Sequence, residues 1–268
     1  MRELRSPGPD GQEIQLEEGV FRVTPEVTRF NDGFVNFYLV EGQDARVVVD
    51  TGFGFGSVLG KLEDRLKSAQ HPTGAILLTH SHPDHAGGAR RLSITSGAKV
   101  VSSSRKIQSI NLGDRKIEII PGKGHTKDSV YFFDPKDNVL FTGDNILGDS
   151  PADVRYMAEY MRGLDELLKR DPNIICPGHG DPSYKAADDI RDLIEHRQTR
   201  ERMIVQAIAT GADSVGLIFS EVYGSKYRDV KNMAMQQIRA HVVKLQEDGL
   251  VEKVGRRFIV VENVQIPL

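Results

Sequence analysis

The sequence has few of the features that mark secreted or membrane proteins. Among 268 residues there is one cysteine, Cys176, and no tryptophan. One cysteine cannot form an intramolecular disulfide. The apolar runs, such as 47–49 and 75–78, span three or four residues, whereas a membrane-spanning helix needs about 20. The first 15 residues lack the apolar core of a secretory signal. These absences predict a cytoplasmic protein with no membrane partner.

An excess of positive charge is also missing. The chain has 35 Lys and Arg against 38 Asp and Glu, a net charge of −3, so it lacks the global basic footprint of many nucleic-acid-binding proteins. Hydrophobic residues make up 39% and charged residues 27%, a balance that excludes disordered and collagen-like classes. At about 100–200 residues per domain, this length predicts one large domain, alone or with a small one.

Strand-like and helix-like patterns divide the chain into three parts. Residues 1–18 are polar and rich in Pro and Gly, which predicts a loose N-terminal arm. Residues 19–184 contain short β-rich runs bounded by Gly, Asp or Asn, and the patterns at 57–69 and 152–170 predict helices. Residues 185–268 predict three helices, over 185–209, 213–223 and 230–248, and then a hairpin that turns at Gly255. This order is typical of a winged helix.

The segment Thr79-His-Ser-His-Pro-Asp-His85 carries the strongest chemical signal. Four metal-binding side chains occur within six residues, directly after a predicted strand. Imidazole and carboxylate ligands suit zinc, with iron and manganese as alternatives. His80 and His82 can face one ion, and Asp84 and His85 then point toward a second. The segment therefore predicts a catalytic metal site.

This segment resembles the HxHxDH signature of the metallo-β-lactamase superfamily. Four further positions match that family in order: Asp50 after a hydrophobic strand, His125 in Gly-His-Thr, Asp144 in Thr-Gly-Asp, and His179 in Pro-Gly-His-Gly. The resemblance covers about residues 19–184. It implies an α+β fold, a four-layer αββα sandwich with two metal ions at one edge.

The resemblance also implies a role for each matched residue. His80, His82 and His125 would bind the first ion, and Asp84, His85 and His179 would bind the second. Asp144 would bridge both ions, and Asp50 would orient a ligand by hydrogen bonding. Asp84 and Asp144 are thus the candidate catalytic carboxylates, with ligation favoured over general-base catalysis for Asp84. A metal-bridging hydroxide would be the nucleophile, because two divalent ions lower the pKa of bound water.

Residues outside the ligand set carry weaker signals. Lys123 replaces the proline that the family places before Gly-His-Thr, and it is either a cation for an anionic substrate group or a solvated surface lysine. Cys176 is predicted to be a core residue. His71 and His241 are predicted to have no role in the site. The glycines of Gly52-Phe-Gly-Phe-Gly56 lack the pattern of a phosphate-binding loop.

The C-terminal part indicates a branch of the superfamily. Glu195-His-Arg-Gln-Thr-Arg-Glu201, followed by the winged-helix-like region, resembles the branch with glyoxalase II and beta-lactamase-like protein 2. This resemblance implies a hydrolase of small carboxylic esters, thioesters or lactones, with promiscuity among them. The alternative is a phosphodiesterase or single-strand endoribonuclease with RNA as partner. Residues 185–268 hold 13 Lys and Arg against 12 Asp and Glu, which is not a strong basic track.

Two other functions are less consistent with the sequence. A non-catalytic regulator would not need the seven ligands, which are all present. Hydrolysis of β-lactam drugs is disfavoured because the ligands of the second ion match the other hydrolase and nuclease branches.

Four C-terminal cations form the candidate RNA-binding patch: Arg239, Lys244, Arg256 and Arg257. The sequence does not indicate an oligomeric state.

Overall fold

The chain forms two compact units in this computed structural model. The described residues are 13–23, 35–55, 57–67, 71–102, 107–148, 151–224 and 229–261. The first unit comprises 1–122, 128–152 and 170–186, and the second 123–127, 153–169 and 187–268. Residues 1–12 of the predicted arm lie outside the described residues, while 13–17 form a strand. The predicted domain limits at 18/19 and 184/185 stay predictions.

Two sheets form the centre of the first unit. The first has the order β1-β2-β3-β4-β5-β6: Glu13–Glu17, Val20–Val23, Phe37–Glu41, Arg46–Val49, Thr73–Leu77 and Lys99–Val101. The second has the order β11-β10-β9-β8-β7: Ile174–Pro177, Val139–Gly143, Val130–Asp134, Lys116–Pro121 and Ser109–Asn111. Helices α1 (Ser57–Lys67), α2 (Pro83–Ala86) and α3 (Ala89–Ser96) belong to the same unit.

The continuous apolar runs of β3 and β4 reflect burial on both faces of the first sheet. Successive side chains of a strand point to opposite faces, so Tyr38 and Val40 pack in the core shared with the second sheet. Phe37 and Leu39 pack instead in the core shared with α1 and α3. Cys176 is 1% exposed in the core between the sheets, and burial raises the pKa of its thiol above the ordinary value.

Parallel strand pairs bring the candidate ligands to one edge of each sheet. β4 and β5 are parallel with Val49 opposite Leu77, so the chain leaves both strands side by side at Asp50 and Leu78. In the second sheet, β10 and β11 are parallel with Gly143 opposite Pro177. Asp144 and Gly178 therefore leave these strands side by side, and His179 follows Gly178 directly. Carboxyl ends of parallel strands commonly carry binding sites.

The second unit is mainly helical. Its elements are α4 (Met157–Lys169), α5 (Ala186–Ala209), α6 (Val215–Val222), α7 (Lys231–Glu247), β12 (Val251–Val254) and β13 (Arg257–Val260). Its apolar core includes Ile208, Phe219, Ile238 and Val251, so α5, α6, α7 and the hairpin share one core. Three helices followed by an antiparallel hairpin appear in the predicted order.

Candidate metal centre

Four of the predicted ligands form a compact group in the first unit. Asp84 and His85 lie on the short helix α2, Asp144 follows β10, and His179 follows β11. Their ligand atoms all lie within 4.8 Å of one another. His85 Nε2 is 3.2 Å from Asp144 Oδ1 and 3.6 Å from Asp84 Oδ2. His179 Nε2 is 3.4 Å from Asp84 Oδ2. Two imidazoles and two carboxylates thus converge on one point.

Asp50 fixes the orientation of His85. His85 is fully buried, and its Nδ1 lies 2.8 Å from Asp50 Oδ2, which a protonated Nδ1 can use as acceptor. The same carboxylate accepts hydrogen bonds from the Thr79 backbone N–H at 2.8 Å and the Thr79 hydroxyl at 2.7 Å. Asp50 has a left-handed φ of 60°, which is uncommon outside glycine. With its proton on Nδ1, His85 presents the Nε2 lone pair to a metal ion.

A second group lies next to the first. The ligand atoms of His80, His82 and Asp144 also lie within 4.8 Å of one another. His80 Nε2 is 3.0 Å from His82 Nδ1 and 3.8 Å from Asp144 Oδ2. His80 Nδ1 lies 3.1 Å from the Thr79 hydroxyl. Asp144 therefore presents one oxygen toward His80 and the other toward His85.

His125 belongs to the second unit. Its Nδ1 lies 2.7 Å from the backbone carbonyl oxygen of Asp153, to which it donates when protonated. This contact favours the tautomer with its lone pair on Nε2, as a metal-binding imidazole requires. The structure therefore brings together six of the seven predicted ligands in the first unit, and it gives the seventh a defined orientation in the second.

The electrostatics of the first-unit group favour a cation. Burial disfavours a charge on Asp144, but the neighbouring imidazoles, led by His85, hold its pKa well below the usual value. Burial likewise opposes a charge on His85, yet Asp50 and Asp144 raise its pKa well above the usual value. The buried His85 Nε2 lies 3.2 Å from Asp144 Oδ1 and 3.6 Å from Asp84 Oδ2. A buried nitrogen aimed at two carboxylates fits a divalent metal ion, and this donor set suits zinc, iron or manganese.

The close approach of Gly178 leaves no room for a side chain at the centre. A Cβ atom at Gly178 would lie 2.5 Å from Asp144 Oδ1 and 2.6 Å from His85 Cε1. The Gly178 N–H donates to the Gly143 carbonyl at 2.9 Å, which holds the ends of β10 and β11 together. Glycine at 178 thus lets His179 follow the strand end without displacing Asp144.

Sequence reasoning missed the residues that hold the His179 loop. Asn36 is fully buried, and its side-chain amide donates to the carbonyl oxygens of Pro177 and Gly180 at 3.0 and 2.7 Å. The Tyr38 hydroxyl donates to Pro177 at 2.7 Å. Arg22 donates to Asn36 and forms an ion pair with Asp181. No local motif indicates this role, because these side chains come from β2, β3 and the residue before β3, far from His179 in the sequence.

Lys123 is engaged within the second unit. Its Nζ forms an ion pair with Glu159 and lies 4.3 Å from the centre of the Tyr156 ring. The side chain of Lys123 is 34% exposed, so it is neither fully solvated nor buried. Its predicted contact with an anionic substrate group stays a prediction, and any such group would compete with the Glu159 carboxylate.

Comparison with known proteins identifies the family. A model of the metallo-β-lactamase superfamily matches residues 30–108 and 100–179, together more than half of the chain. The chain belongs to the metallo-β-lactamase superfamily. Membership confirms the prediction of a metal-dependent hydrolase. The predicted ligand segment 80–85, together with His125, Asp144 and His179, lies inside the matched range.

Individual relatives extend the likeness over most of the chain. The lactamase-like protein nscB of Trichophyton rubrum is 27% identical over 87% of this chain and 85% of its own. The beta-lactamase-like protein 2 homolog of Caenorhabditis elegans is 26% identical over 81% of this chain and 80% of its own. Among solved structures, a beta-lactamase domain protein from Burkholderia ambifaria has a TM-score of 0.73 at 17% identity, covering 95% of this chain and 96% of its own.

These comparisons confirm the predicted family and fold class. The mixed α/β fold with a C-terminal helical region and the resemblance to the branch of beta-lactamase-like protein 2 were both expected from the sequence. In the part of the chain that the structure describes, no helix has the length and apolarity to cross a membrane. The predicted cytoplasmic location stays a prediction.

Proposed function

We propose that this protein is a dinuclear metal-dependent hydrolase of small carboxylic ester, thioester or lactone bonds. The observation that carries the proposal is the position of Asp144. Its Oδ2 lies 3.8 Å from His80 Nε2, and its Oδ1 lies 3.2 Å from His85 Nε2 and 3.6 Å from His179 Nε2. A carboxylate that presents its two oxygens to different imidazole groups is suited to bridging two ions.

The proposed ligand sets follow the sequence motifs and the geometry of the first unit. His80 and His82 bind the first ion, and the Gly-His-Thr motif assigns His125 to it as the third imidazole. Asp84, His85 and His179 bind the second ion, and Asp144 binds both. Zinc is the proposed metal, with iron and manganese as alternatives that the same donors accept.

The chain's own residues supply charge and orientation. When bound, two divalent ions would acidify water and draw electron density from the scissile bond. His85 lowers the pKa of Asp144, and hydrogen bonding to His179 lowers that of Asp84 although burial opposes both changes. Both carboxylates therefore stay ionised at neutral pH and remain available as ligands. Asp50 keeps the His85 ring aimed at the second ion, which limits the reorganisation needed on binding.

The alternative function is phosphodiester or single-stranded RNA cleavage, and the resemblance to beta-lactamase-like protein 2 homologues favours it. Two metal ions suit in-line attack at phosphorus equally well, and α5–α7 with the hairpin suggest a winged helix. However, two of the four candidate patch cations have acidic partners. Lys244 pairs with Glu201 and Asp248, and Arg257 pairs with Asp213. The smaller remaining basic surface favours the small-molecule hydrolase.

Metal analysis combined with a substrate panel tests the proposal. Purified protein is assayed for metal content and for turnover of an ester, a thioester, a lactone, a phosphodiester and single-stranded RNA. We expect two metal ions per chain, loss of activity on chelation, and recovery on adding zinc. His82→Ala should lose most of the bound metal, and Asp144→Ala should lose activity on every substrate. Full activity of metal-free protein would refute the proposal.

The same panel separates the two functions. If RNA is the substrate, Arg239→Ala and Arg256→Ala should each weaken RNA binding and reduce the slope of affinity against salt concentration by about one. If the small-molecule hydrolase is correct, these variants should leave turnover of esters and thioesters unchanged. RNA cleavage without ester, thioester or lactone turnover would favour the alternative.

A further inference from the structure

The loop that carries His125 is held by the segment at residues 153–156. The Gly124 carbonyl accepts hydrogen bonds from the backbone N–H groups of Arg155 and Tyr156 at 2.9 and 3.0 Å. The Asp153 carbonyl lies 2.7 Å from His125 Nδ1. Three backbone groups of this segment therefore set both the path of the loop and the orientation of the imidazole. All of these residues belong to the second unit.

Helix α7 holds this segment in turn. The Gln237 side-chain amide donates to Asp153 Oδ1 at 2.7 Å and to the Val154 carbonyl at 3.2 Å. The neighbouring Gln236 amide donates to the Asp153 carboxylate oxygens at 3.3 and 3.2 Å. Gln237 is 8% exposed, so water competes little for these hydrogen bonds. Two adjacent glutamines thus bind the residue whose carbonyl orients His125.

Arg197 on α5 fixes the direction of the Gln237 amide. Its Nη1 donates to Gln237 Oε1 at 3.1 Å, and Arg197 is 3% exposed. Arginine is a donor only, so the oxygen of the amide must face Arg197. The NH₂ group must then face Asp153 and Val154. Hydrogen bonds therefore run from Arg197 on α5 to Gln237 on α7, and from Gln237 to the segment that orients His125.

We propose that Gln237, supported by Arg197, is a positioning residue for the metal ligand His125. This inference rests on the proposed function, because it takes His125 as a ligand of the first ion. It gives the C-terminal helices a role other than RNA binding: they set the geometry of one metal ligand. Removing a group that is hydrogen-bonded directly to a metal-binding histidine typically weakens metal binding by about 10–100-fold, and the effect of Gln237, which acts through Asp153, should lie at the lower end of this range.

Gln237→Glu is the most informative variant. The carboxylate keeps the size of the side chain and an oxygen acceptor for Arg197, but it replaces the donor that faces Asp153 with a second negative charge. The matched control is Glu201→Gln, which weakens the ion pair with Lys244 in the same α5–α7 contact. Glu201 faces His241 and Lys244 rather than Asp153. Gln236→Met is the second variant, since the less buried Gln236 can be changed with less risk to folding.

Two measurements are made on each variant. Hydrogen exchange of the Arg155 and Tyr156 amides in metal-free protein reports the bonds to Gly124, independently of metal and of catalysis. Chelator competition with zinc reports the affinity of each ion. We expect Gln237→Glu to accelerate this exchange and to weaken the binding of one of the two ions by about 10-fold, the lower end of the range for direct partners of a metal-binding histidine, because Gln237 acts on His125 through Asp153. Gln236→Met should change both quantities in the same direction but less, and Glu201→Gln should change neither.

The outcomes separate the two proposals. Faster exchange with unchanged zinc affinity in Gln237→Glu would overturn the positioning role and leave Gln237 as a packing residue. Unchanged exchange would also overturn it. If Gln237→Glu does not fold, the same criteria apply to Gln236→Met. Failure of the wild-type protein to bind zinc, iron or manganese would instead refute the proposed function.

Discussion

The orientation of His85 by Asp50 yields a sharp prediction for the variant Asp50→Asn. The buried carboxylate of Asp50 accepts three hydrogen bonds, two from Thr79 and one from His85 Nδ1. In asparagine, one oxygen can still accept from the Thr79 N–H, but an NH₂ group then faces His85 Nδ1. The His85 ring must accept at Nδ1 and carry its proton on Nε2, the nitrogen that faces Asp84 and Asp144. This tautomer cannot bind a metal ion through Nε2.

The expected size of the effect follows from the same contacts. Hydrogen bonds to charged groups contribute about 1.5–3 kcal/mol, so losing the carboxylate bond to His85 should lower the free energy of unfolding by about 2 kcal/mol. Disrupting a group that orients a metal-binding histidine should weaken the binding of the second ion by about 10–100-fold. That loss corresponds to about 1.4–2.8 kcal/mol of binding free energy.

Two measurements compare Asp50→Asn with the wild type. Chelator competition gives the zinc affinity, and the ¹⁵N spectrum of the His85 ring distinguishes the two tautomers. Asp134→Asn is the matched control, because Asp134 is a fully buried aspartate in the same unit that pairs with Arg115 instead of a candidate ligand. The control should lose stability and retain both ions. Wild-type zinc affinity in Asp50→Asn, or an unchanged His85 tautomer, would refute the reasoning.

Three further predictions concern other parts of the chain. Gly178→Ala should reduce metal content because the new Cβ would overlap Asp144 and His85, whereas Gly60→Ala, with open space around its Cβ, should not; equal metal content would contradict this. Burial lowers the pKa of His241, so below about pH 6.5 the unfolded chain binds more protons than the native state. The contribution of His241 to stability is therefore present above about pH 6.5 and lost as the pH falls. In urea unfolding from about pH 8 to 5, the free energy of unfolding should fall less steeply in His241→Gln than in the wild type. Lys123→Ala should retain metal and raise KM for anionic substrates more than for neutral esters, and equal effects would make Lys123 a surface residue.

Local patterns predicted the strands at the site better than the segments between them. The apolar runs at 47–49 and 75–78 belong to the β-rich part of the sequence, and β4 and β5 cover these runs to within one residue. Strand β1 lies inside the segment that was predicted to be a loose arm, because Glu13–Glu17 lies at the edge of the first sheet and has a mixed polar sequence. Helix α2 is four residues long, too short for a periodic pattern.

The site could be predicted from the sequence only where its ligands fall in short motifs. The residues from His80 to His85 form one motif, and the surrounding glycines mark Asp144 and His179. The contacts that hold these ligands are between distant residues and leave no such signal, as with Asn36 and the His179 loop. The same limit explains why the predicted helix 152–170 begins at Met157: Asp153 and Val154 are hydrogen-bonded to Gln237, a tertiary contact that local propensity does not include.

Metal binding by the ligand group of Asp84, His85, Asp144 and His179 would also make the stability of the protein depend on the metal concentration. Its members come from three separate segments of the chain and meet only when β10, β11 and α2 have reached their places. An ion bound there is therefore bound by the native state and not by the unfolded chain. At a free concentration 100 times its dissociation constant, such an ion adds about 2.7 kcal/mol to the stability. A shortage of metal would then increase degradation of the protein as well as abolish its activity. The abundance of the protein would therefore follow the availability of the metal.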